Sequence, residues 1–554
     1  MKSSDSVRIK IVFLCVVGLA SIVAWRLFIL SYVRHTLYAK TAQAQSQNIS
    51  NILIRGNVFV QDPKASGTAD DQHYLVATDK KFPYAYVTPS LVTDPIAAAQ
   101  QLANILGIDQ NVVETPLQTK SSSAKVIAHK ITPAQVDAII KLGMKGVGVQ
   151  YETDRFYPAD SFLANVLGFY GYGTAGNRQG QYGIEGYFDS ELSGQDDPAQ
   201  SAPRPDDIVL TIDRNVQSFI ESELSQVLAK WHAAGGSIIV QDPYTGKILG
   251  MAQSPGFDPN SYSSSPTSSY INSNVQQVFE PGSSYKPITM AMGLDLNKVN
   301  PDTTFTDPGV IDIAGRQIHN FDNAAHGTVT MAQILQKSLN TGAAYVEGLV
   351  GQDNFVNYTV NFGFGQKTGV DLPGEVNGDI ANLYSGRQVN FVTASFGQGI
   401  AVTPLQLITA YSALANGGKL MKPYIVDRII HEGGKEDITQ PEVASIPISA
   451  ATSAKIRTML VSVVDVGFDK ARIKGYDVAG KTGTAQIADG HGGYQEGVFI
   501  HDFLGFAPAS NPKFVVLIKM DKPQGITFAA DSLSPSFRDV AAYLLNYYNI
   551  PPTR

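Results

Sequence analysis

A serine and a lysine three positions apart, Ser283 and Lys286, lie in Glu280-Pro281-Gly282-Ser283-Ser284-Tyr285-Lys286-Pro287. On a helix, positions i and i+3 share a face, so the amine can reach the hydroxyl and take its proton. Pro281 and Gly282 suit a turn feeding such a helix, and Ile288, Met290, Met292 and Leu294 give it an apolar run to bury. Ser283 then falls at the helix N-terminus, where unpaired N–H groups and the dipole favour a developing oxyanion. Pro287 is tolerated in the first turn, where an N–H has no partner anyway. Ser122-Ser123-Ala124-Lys125 fits the same pattern, but no apolar run follows it, and it reads as a solvated loop.

Two further segments carry matching chemistry. In Lys337-Ser338-Leu339-Asn340-Thr341 a hydroxyl and an amide two positions apart cannot share a helix face, whereas on a loop both can enter one cleft. Most Ser-x-Asn triplets are simply turns. Val478-Ala479-Gly480-Lys481-Thr482-Gly483-Thr484-Ala485-Gln486, as an edge strand, offers Lys481 and two hydroxyls to a carboxylate, with Gly483 admitting a substrate backbone. Residues 475–482 also match the phosphate-binding GxxxxGK[ST] pattern, yet that motif needs a helix directly after Thr482, and the text runs instead to Asp489-Gly490-His491-Gly492-Gly493. A second Lys-Thr-Gly, Lys367-Thr368-Gly369, sits among glycines and reads as a loop.

A chain of 554 residues exceeds one ordinary core, so two or three domains must position these segments. Hydrophobic content of 44% and charged content of 16% belong to a folded protein, and a net charge of −7 without long runs argues against a nucleic-acid surface. The lone cysteine, Cys15, excludes an intrachain disulfide and a thiolate metal cluster. The nine histidines make no metal-ligand spacing, and His319, His326, His491 and His501 read as ordinary polar residues.

Residues 11–33 carry one charge, Arg26, and are long enough to span a bilayer. A cleaved signal peptide is the competing reading, but Ala42-Gln43-Ala44 lies far beyond the apolar run. Lys2, Arg8 and Lys10 bias residues 1–10 towards the cytoplasm and the rest towards the outside. Residues 34–194 form a first mixed domain, with helices opened by Asp94-Pro95 and Thr132-Pro133 and strand-like pieces at 51–60 and 74–78. Arg155-Phe156-Tyr157-Pro158 and Gly183-Ile184-Glu185 read by spacing alone as turns and packing. Residues 195–207 have linker composition, and a second domain, 208–554, opens with a strand, a helix over 216–228 and a hairpin about Asp242 to Lys247.

Ser-x-x-Lys, Ser-x-Asn and Lys-Thr-Gly, in that order within one domain, each supply a different part of acyl transfer. At this point the sequence resembles the class B penicillin-binding proteins, the single-activity transpeptidases. The resemblance runs along nearly the whole chain, through Arg26, Arg55-Gly56, Arg155 to Pro158, Gly183 to Glu185, Leu210-Thr211-Ile212-Asp213, Phe364-Gly365 to Leu372-Pro373-Gly374-Glu375, and Gly397-Gln398-Gly399. The forms of 338–340 and 481–484 look more like the division-type branch than the elongation-type branch.

The resemblance implies an α+β fold: a transpeptidase/β-lactamase-like domain, an antiparallel sheet flanked by helices, on an elongated α+β pedestal of the dimerisation type with an N-terminal transmembrane helix. It implies Ser283 as nucleophile towards the bond between two D-alanines of a peptidoglycan stem peptide and Lys286 as base. Ser338 would pass a proton, Asn340 would orient Lys286 and the substrate amide, and Ser283 and Thr484 N–H groups would form the oxyanion hole. Lys481, Thr482 and Thr484 would hold the terminal carboxylate, with Gly483 giving room. β-Lactams, a polytopic glycosyltransferase and division-complex membrane proteins are the implied partners, at the bacterial cytoplasmic membrane with the catalytic domain outside. No metal or other cofactor follows. An elongation-type enzyme, a β-lactamase-like hydrolase and a catalytically silent division scaffold stand as alternatives.

Overall fold

The computed structural model describes residues 55–64, 72–119, 121–173, 176–194, 205–467, 469–489 and 493–554, with the isolated positions 13, 17, 18 and 25. Most of the expected membrane span and most of the expected linker lie outside them. Among the described residues, no helix is long and apolar enough to cross a membrane. These residues form two compact units, one of 79–155 and one that joins 55–78 to 156–554.

In the first unit, local capping sets the helices. Asp94 accepts the Ala97 N–H ahead of helix Pro95–Leu106, which ends on left-handed Gly107, and Thr132 and Gln135 form a capping box before Pro133–Leu142. Their apolar faces pack with Val113 and Ile127 into one small core. The expected strand at 74–78 is part of a longer one, His73–Val87, and of the expected strand at 51–60 only Val58–Gln61 forms within the described residues.

In the second unit, an antiparallel five-stranded sheet has the order Ala479–Ala488, Tyr494–Ala507, Phe514–Asp521, Gly235–Gln241, Ile248–Ser254. Alternation of side chains divides its residues between two cores. Ile239, Met251, Leu504 and Leu517 pack with helices Lys286–Asp295 and Pro404–Ala415, and every residue of the latter is buried. Ile238, Val240, Phe503, Val516 and Ile518 face the other way, towards helices Arg214–Lys230 and Ser534–Tyr547. On that face Phe503 stacks on Phe537 with ring centres 4.4 Å apart, and Phe219 on Tyr543 at 3.9 Å. The hairpin about Asp242 to Lys247 forms as read, with strands 235–241 and 248–254 paired.

Gly183-Ile184-Glu185 is more than a turn. Glu185 is fully buried and accepts from Arg55 Nε at 2.7 Å and the Tyr157 hydroxyl at 3.2 Å, while Arg55 also reaches Asp189 at 2.7 Å. Local spacing cannot reveal an ion pair whose partners are 130 positions apart. Breaking such a buried pair from one side strands a charge and costs about 3–5 kcal/mol.

His501 is likewise not an ordinary polar residue. It is wholly buried in the strand Tyr494–Ala507, with Nε2 3.0 Å from the Thr527 carbonyl and Nδ1 2.8 Å from the Ser532 hydroxyl. A carbonyl only accepts, so Nε2 carries the proton and Nδ1 accepts from Ser532. Burial disfavours a second proton and lowers the pKa from 6.5 to about 4, the Thr527 carbonyl opposing it. The unfolded chain therefore binds the proton first, and stability falls as pH drops through this window, by at most about 3 kcal/mol for this group. Urea midpoints of wild type and His501→Gln measured from pH 7 to pH 4 should converge as pH falls; parallel curves would contradict the assignment.

Candidate active site

The turn Gly282–Tyr285 carries Ser283 and runs directly into helix Lys286–Asp295. The serine was expected in the first turn of an α-helix, yet this turn is 3-10. Pro287 has no N–H to donate to the Ser283 carbonyl four positions back, and the Lys286 N–H takes that carbonyl instead. Gly282 has a φ of +57° and lies so near the edge strand that a Cβ there would be 3.1 Å from the Thr484 carbonyl. A Cβ on Gly483 would collide with the Pro281 carbonyl, so the nucleophile turn and the Lys-Thr-Gly strand are in direct contact. Behind the turn, the Gly282 N–H donates to the Gly397 carbonyl at 3.0 Å, and Gly399 N–H donates to Glu280 at 3.0 Å. That contact gives Gly397-Gln398-Gly399 a physical purpose.

Lys286 and Lys481 are both almost completely buried, and they converge on one residue. Lys286 Nζ donates to the Ser338 carbonyl at 2.6 Å and lies 3.2 Å from its hydroxyl, while Lys481 Nζ lies 3.0 Å from the same hydroxyl and donates to the Thr482 carbonyl at 3.1 Å. Ser338 has a left-handed backbone, φ 55°, a conformation costly for a residue with a Cβ and typical of functional turns. The Ser283 side chain is partly exposed and makes no hydrogen bond among the described residues, so the expected bond from its hydroxyl to Lys286 is not formed in this state, where that amine is held by Ser338.

Burial and the charge of Lys481 together hold the Lys286 pKa well below that of a free lysine. Burial also lowers Lys481, while the Asp502 carboxylate pulls it back up. An unperturbed lysine near 10.4 is neutral in roughly one molecule in a few thousand at pH 7, so without such a lowering a lysine has little capacity to accept a proton there.

Asn340 starts helix Asn340–Val350, and its side-chain amide donates to the His319 carbonyl at 2.8 Å. The hydrogen bonds of Lys286 go to Ser338 and not to Asn340, so in this state the amide does not orient the lysine. A buried network supports it: the Asn340 N–H meets Asn320 Oδ1 at 3.0 Å, Asn320 donates to Asp307 at 2.9 Å, and Thr341 donates to Asp307 at 2.6 Å. Nothing in the local text around Asn320 signals this role, because its partners Asp307, Asn340 and Thr341 lie in two other segments.

Thr482, Gly483 and Thr484 lie on the edge strand Ala479–Ala488. Thr482 is buried, and Thr484 Oγ1 accepts the Ala529 N–H at 3.1 Å. That strand continues past Thr482, where a phosphate loop would need a helix. Lys367-Thr368-Gly369 is a loop whose N–H groups and hydroxyl bind Glu375, far in role from any base. Sequence reading missed Asp502, a buried carboxylate facing Gly483 across the sheet. A lone acid in the apolar strand text from Val498 to Leu504 was the available signal.

Residues 236–542 match the family described as Penicillin binding protein transpeptidase domain, and residues 68–207 match the Penicillin-binding Protein dimerisation domain. The chain is similar to Stage V sporulation protein D of Bacillus subtilis, with 35% identity over 89% of this chain and 80% of that protein. Among solved structures, it is similar to a peptidoglycan synthetase from Bifidobacterium adolescentis, at 26% identity and a TM-score of 0.68, covering 91% of this chain and 97% of that one. It is also similar to penicillin binding protein 3 of Mycobacterium tuberculosis in complex with aztreonam, at 30% identity and a TM-score of 0.67, covering 73% and 92%. With both domains matched, and with two buried lysines meeting at Ser338 in the matched transpeptidase domain, the chain belongs to the class B penicillin-binding proteins, which join a dimerisation domain to a serine-type peptidoglycan D,D-transpeptidase.

Proposed function

We propose that Ser283 attacks the carbonyl between the two terminal D-alanines of a stem peptide, and that the acyl-enzyme is resolved by an amine of a neighbouring strand. Two buried ammonium groups sharing the Ser338 hydroxyl carry this reading, because their repulsion in a water-poor site leaves one of them neutral. Neutral Lys286 takes the Ser283 proton as the carbon–oxygen bond forms. The proton reaches the departing D-alanine nitrogen through Ser338 as the carbon–nitrogen bond breaks. Ser283 and Thr484 N–H groups receive the oxyanion, Asn340 binds the substrate amide, and Lys481 with Thr482 and Thr484 binds the terminal carboxylate. Gly483 keeps the strand close to the substrate.

The aztreonam complex of the mycobacterial relative supports binding of β-lactams, which on this reading copy the substrate and stop at the acyl-enzyme. The sporulation relative and the forms of residues 338–340 and 481–484 favour septal wall synthesis, in division or sporulation, over elongation. We also propose residues 11–33 as a single-pass anchor in the cytoplasmic membrane, with residues 208–554 outside it and residues 34–194 as the pedestal. There a polytopic glycosyltransferase and other division-complex membrane proteins would be neighbours.

Fluorescent penicillin should label wild type covalently, with the adduct stable for hours, and Ser283→Ala should give only background. Rapid loss of label would identify a hydrolase, no label in wild type a silent scaffold, and equal label in the mutant would refute the assignment of Ser283. Lys481→Ala should slow acylation by about a hundredfold or more, the scale of losing one such electrostatic contact. It also removes the positive neighbour that lowers Lys286, so the acid limb of the acylation rate should move to higher pH; an unmoved limb would contradict the coupling.

A further inference from the structure

The inner face of the sheet holds two charged side chains that the transpeptidase mechanism does not use. Asp502 and Lys519 are cross-strand partners, and on its other side Asp502 pairs with Gly483. Period-2 alternation puts Lys481 on the same face as Gly483. Asp502 is fully buried and Lys519 is 8% exposed. Neither carboxylate oxygen of Asp502 meets a donor at hydrogen-bond geometry among the described residues. A buried carboxylate so placed is costly unless nearby charge offsets it. Lys519 donates to the Asp521 carboxylate and lies over the Phe279 ring, so it is not committed to Asp502 alone.

We propose that Asp502 is a positioning residue whose carboxylate keeps Lys481 charged for binding the substrate's terminal carboxylate, with Lys519 as the counter-cation that lets this acid ionise inside the sheet. This rests on the function proposed above for Lys481. The carboxylate lies directly beneath the nucleophile turn: a Cβ on Gly483 would strike both of its oxygens as well as the Pro281 carbonyl. Gly483 is thus needed for a neighbour behind the strand as well as for substrate in front of it.

The groups facing Asp502 come from each surrounding element. They are Lys481 on the edge strand, Lys519 on the strand Phe514–Asp521, Ser284 on the nucleophile turn and Tyr411 on helix Pro404–Ala415. Burial raises the Asp502 pKa, and the Ser284 hydroxyl, Lys481, Lys519 and the Gly483 N–H oppose it. Ser284 gives its own proton to the Pro281 carbonyl at 2.8 Å, and its carbonyl accepts the Tyr411 hydroxyl at 2.6 Å. In the other direction, Asp502 is the group that raises Lys481 against the effect of burial. The sign follows. Without the negative charge Lys481 loses its proton at lower pH, and carboxylate binding fails there.

The test is the pH profile of the acylation rate constant for fluorescent penicillin, measured on the full chain for wild type, Asp502→Asn and Asp502→Ser, with Ser283→Ala as control. Both neutral variants should move the alkaline limb down by about one pH unit, which is about a tenfold loss of rate above the wild-type limb, and leave the acid side within about threefold. A merely structural acid would lower the rate evenly across pH, in proportion to the change in side-chain volume. An alkaline limb unmoved in both variants overturns the proposal while wild-type acylation still upholds Ser283 as nucleophile. Labelling that survives in Ser283→Ala fails the underlying function instead. Failure of both variants to fold would also overturn it, since the carboxylate would then serve the fold and not the lysine.

Discussion

Two ammonium groups cannot both stay charged in a buried site when each is within hydrogen-bond reach of the same hydroxyl. At such separations the repulsion of unit charges is several kcal/mol even in a moderately polar interior, and burial adds to it. Lys286 and Lys481 arrive at Ser338 from a helix and a strand almost 200 positions apart, so the rest of the domain has to hold them there against that repulsion. The sheet, the packed helix Pro404–Ala415 and the left-handed turn at Ser338 do this. The consequence is electrostatic: burial and the neighbouring charge drive Lys286 towards its neutral form, while the Asp502 carboxylate holds Lys481 nearer its charged form against burial.

The same constraint explains features that carry no chemistry themselves. Gly397 and Gly483 are positions where two backbones approach more closely than a Cβ allows, and Gly282 combines a positive φ with a tight approach to Thr484. Each brings the nucleophile turn nearer to the edge strand or to the loop behind it. The Asp307, Asn320 and Thr341 network does the equivalent for the start of the Asn340 helix, with burial raising the carboxylate of Asp307 and its hydrogen bonds more than offsetting that. His501 ties the segment that donates to Thr484 back onto the sheet.

Short-range features of the site were legible in the text. Asp94, Thr132 and Asp242 mark helix caps and a hairpin because their partners lie within a few residues, and the order of the three motifs identified the domain. Ser283 illustrates the limit: the helix was read, but the 3-10 turn results from Pro287 lacking one particular N–H, a detail of register. Arg55 with Glu185, Asn320 with Asp307, and Asp502 with Lys519 were illegible as pairs, since long-range pairing depends on topology. Asp502 and Lys519 did leave a trace, the one acid of the largely apolar run 498–504 and the one base of the apolar run 514–520, and a charge buried in such a run calls for an opposite charge nearby. Asn340 marks a different limit: the resemblance implies that it orients Lys286, whereas in this state Lys286 bonds to Ser338 and the Asn340 amide to the His319 carbonyl.

The most direct measurement is a titration of the two lysines themselves, by nitrogen-15 NMR of the side-chain amines with Lys286→Ala and Lys481→Ala to assign them. The account predicts that both resonances titrate far below 10.4, with Lys286 losing its proton before Lys481, so that near neutral pH a neutral amine stands beside a more basic one. Two lysines that both titrate near the free value, or a Lys286 that remains charged after Lys481 has become neutral, would contradict it.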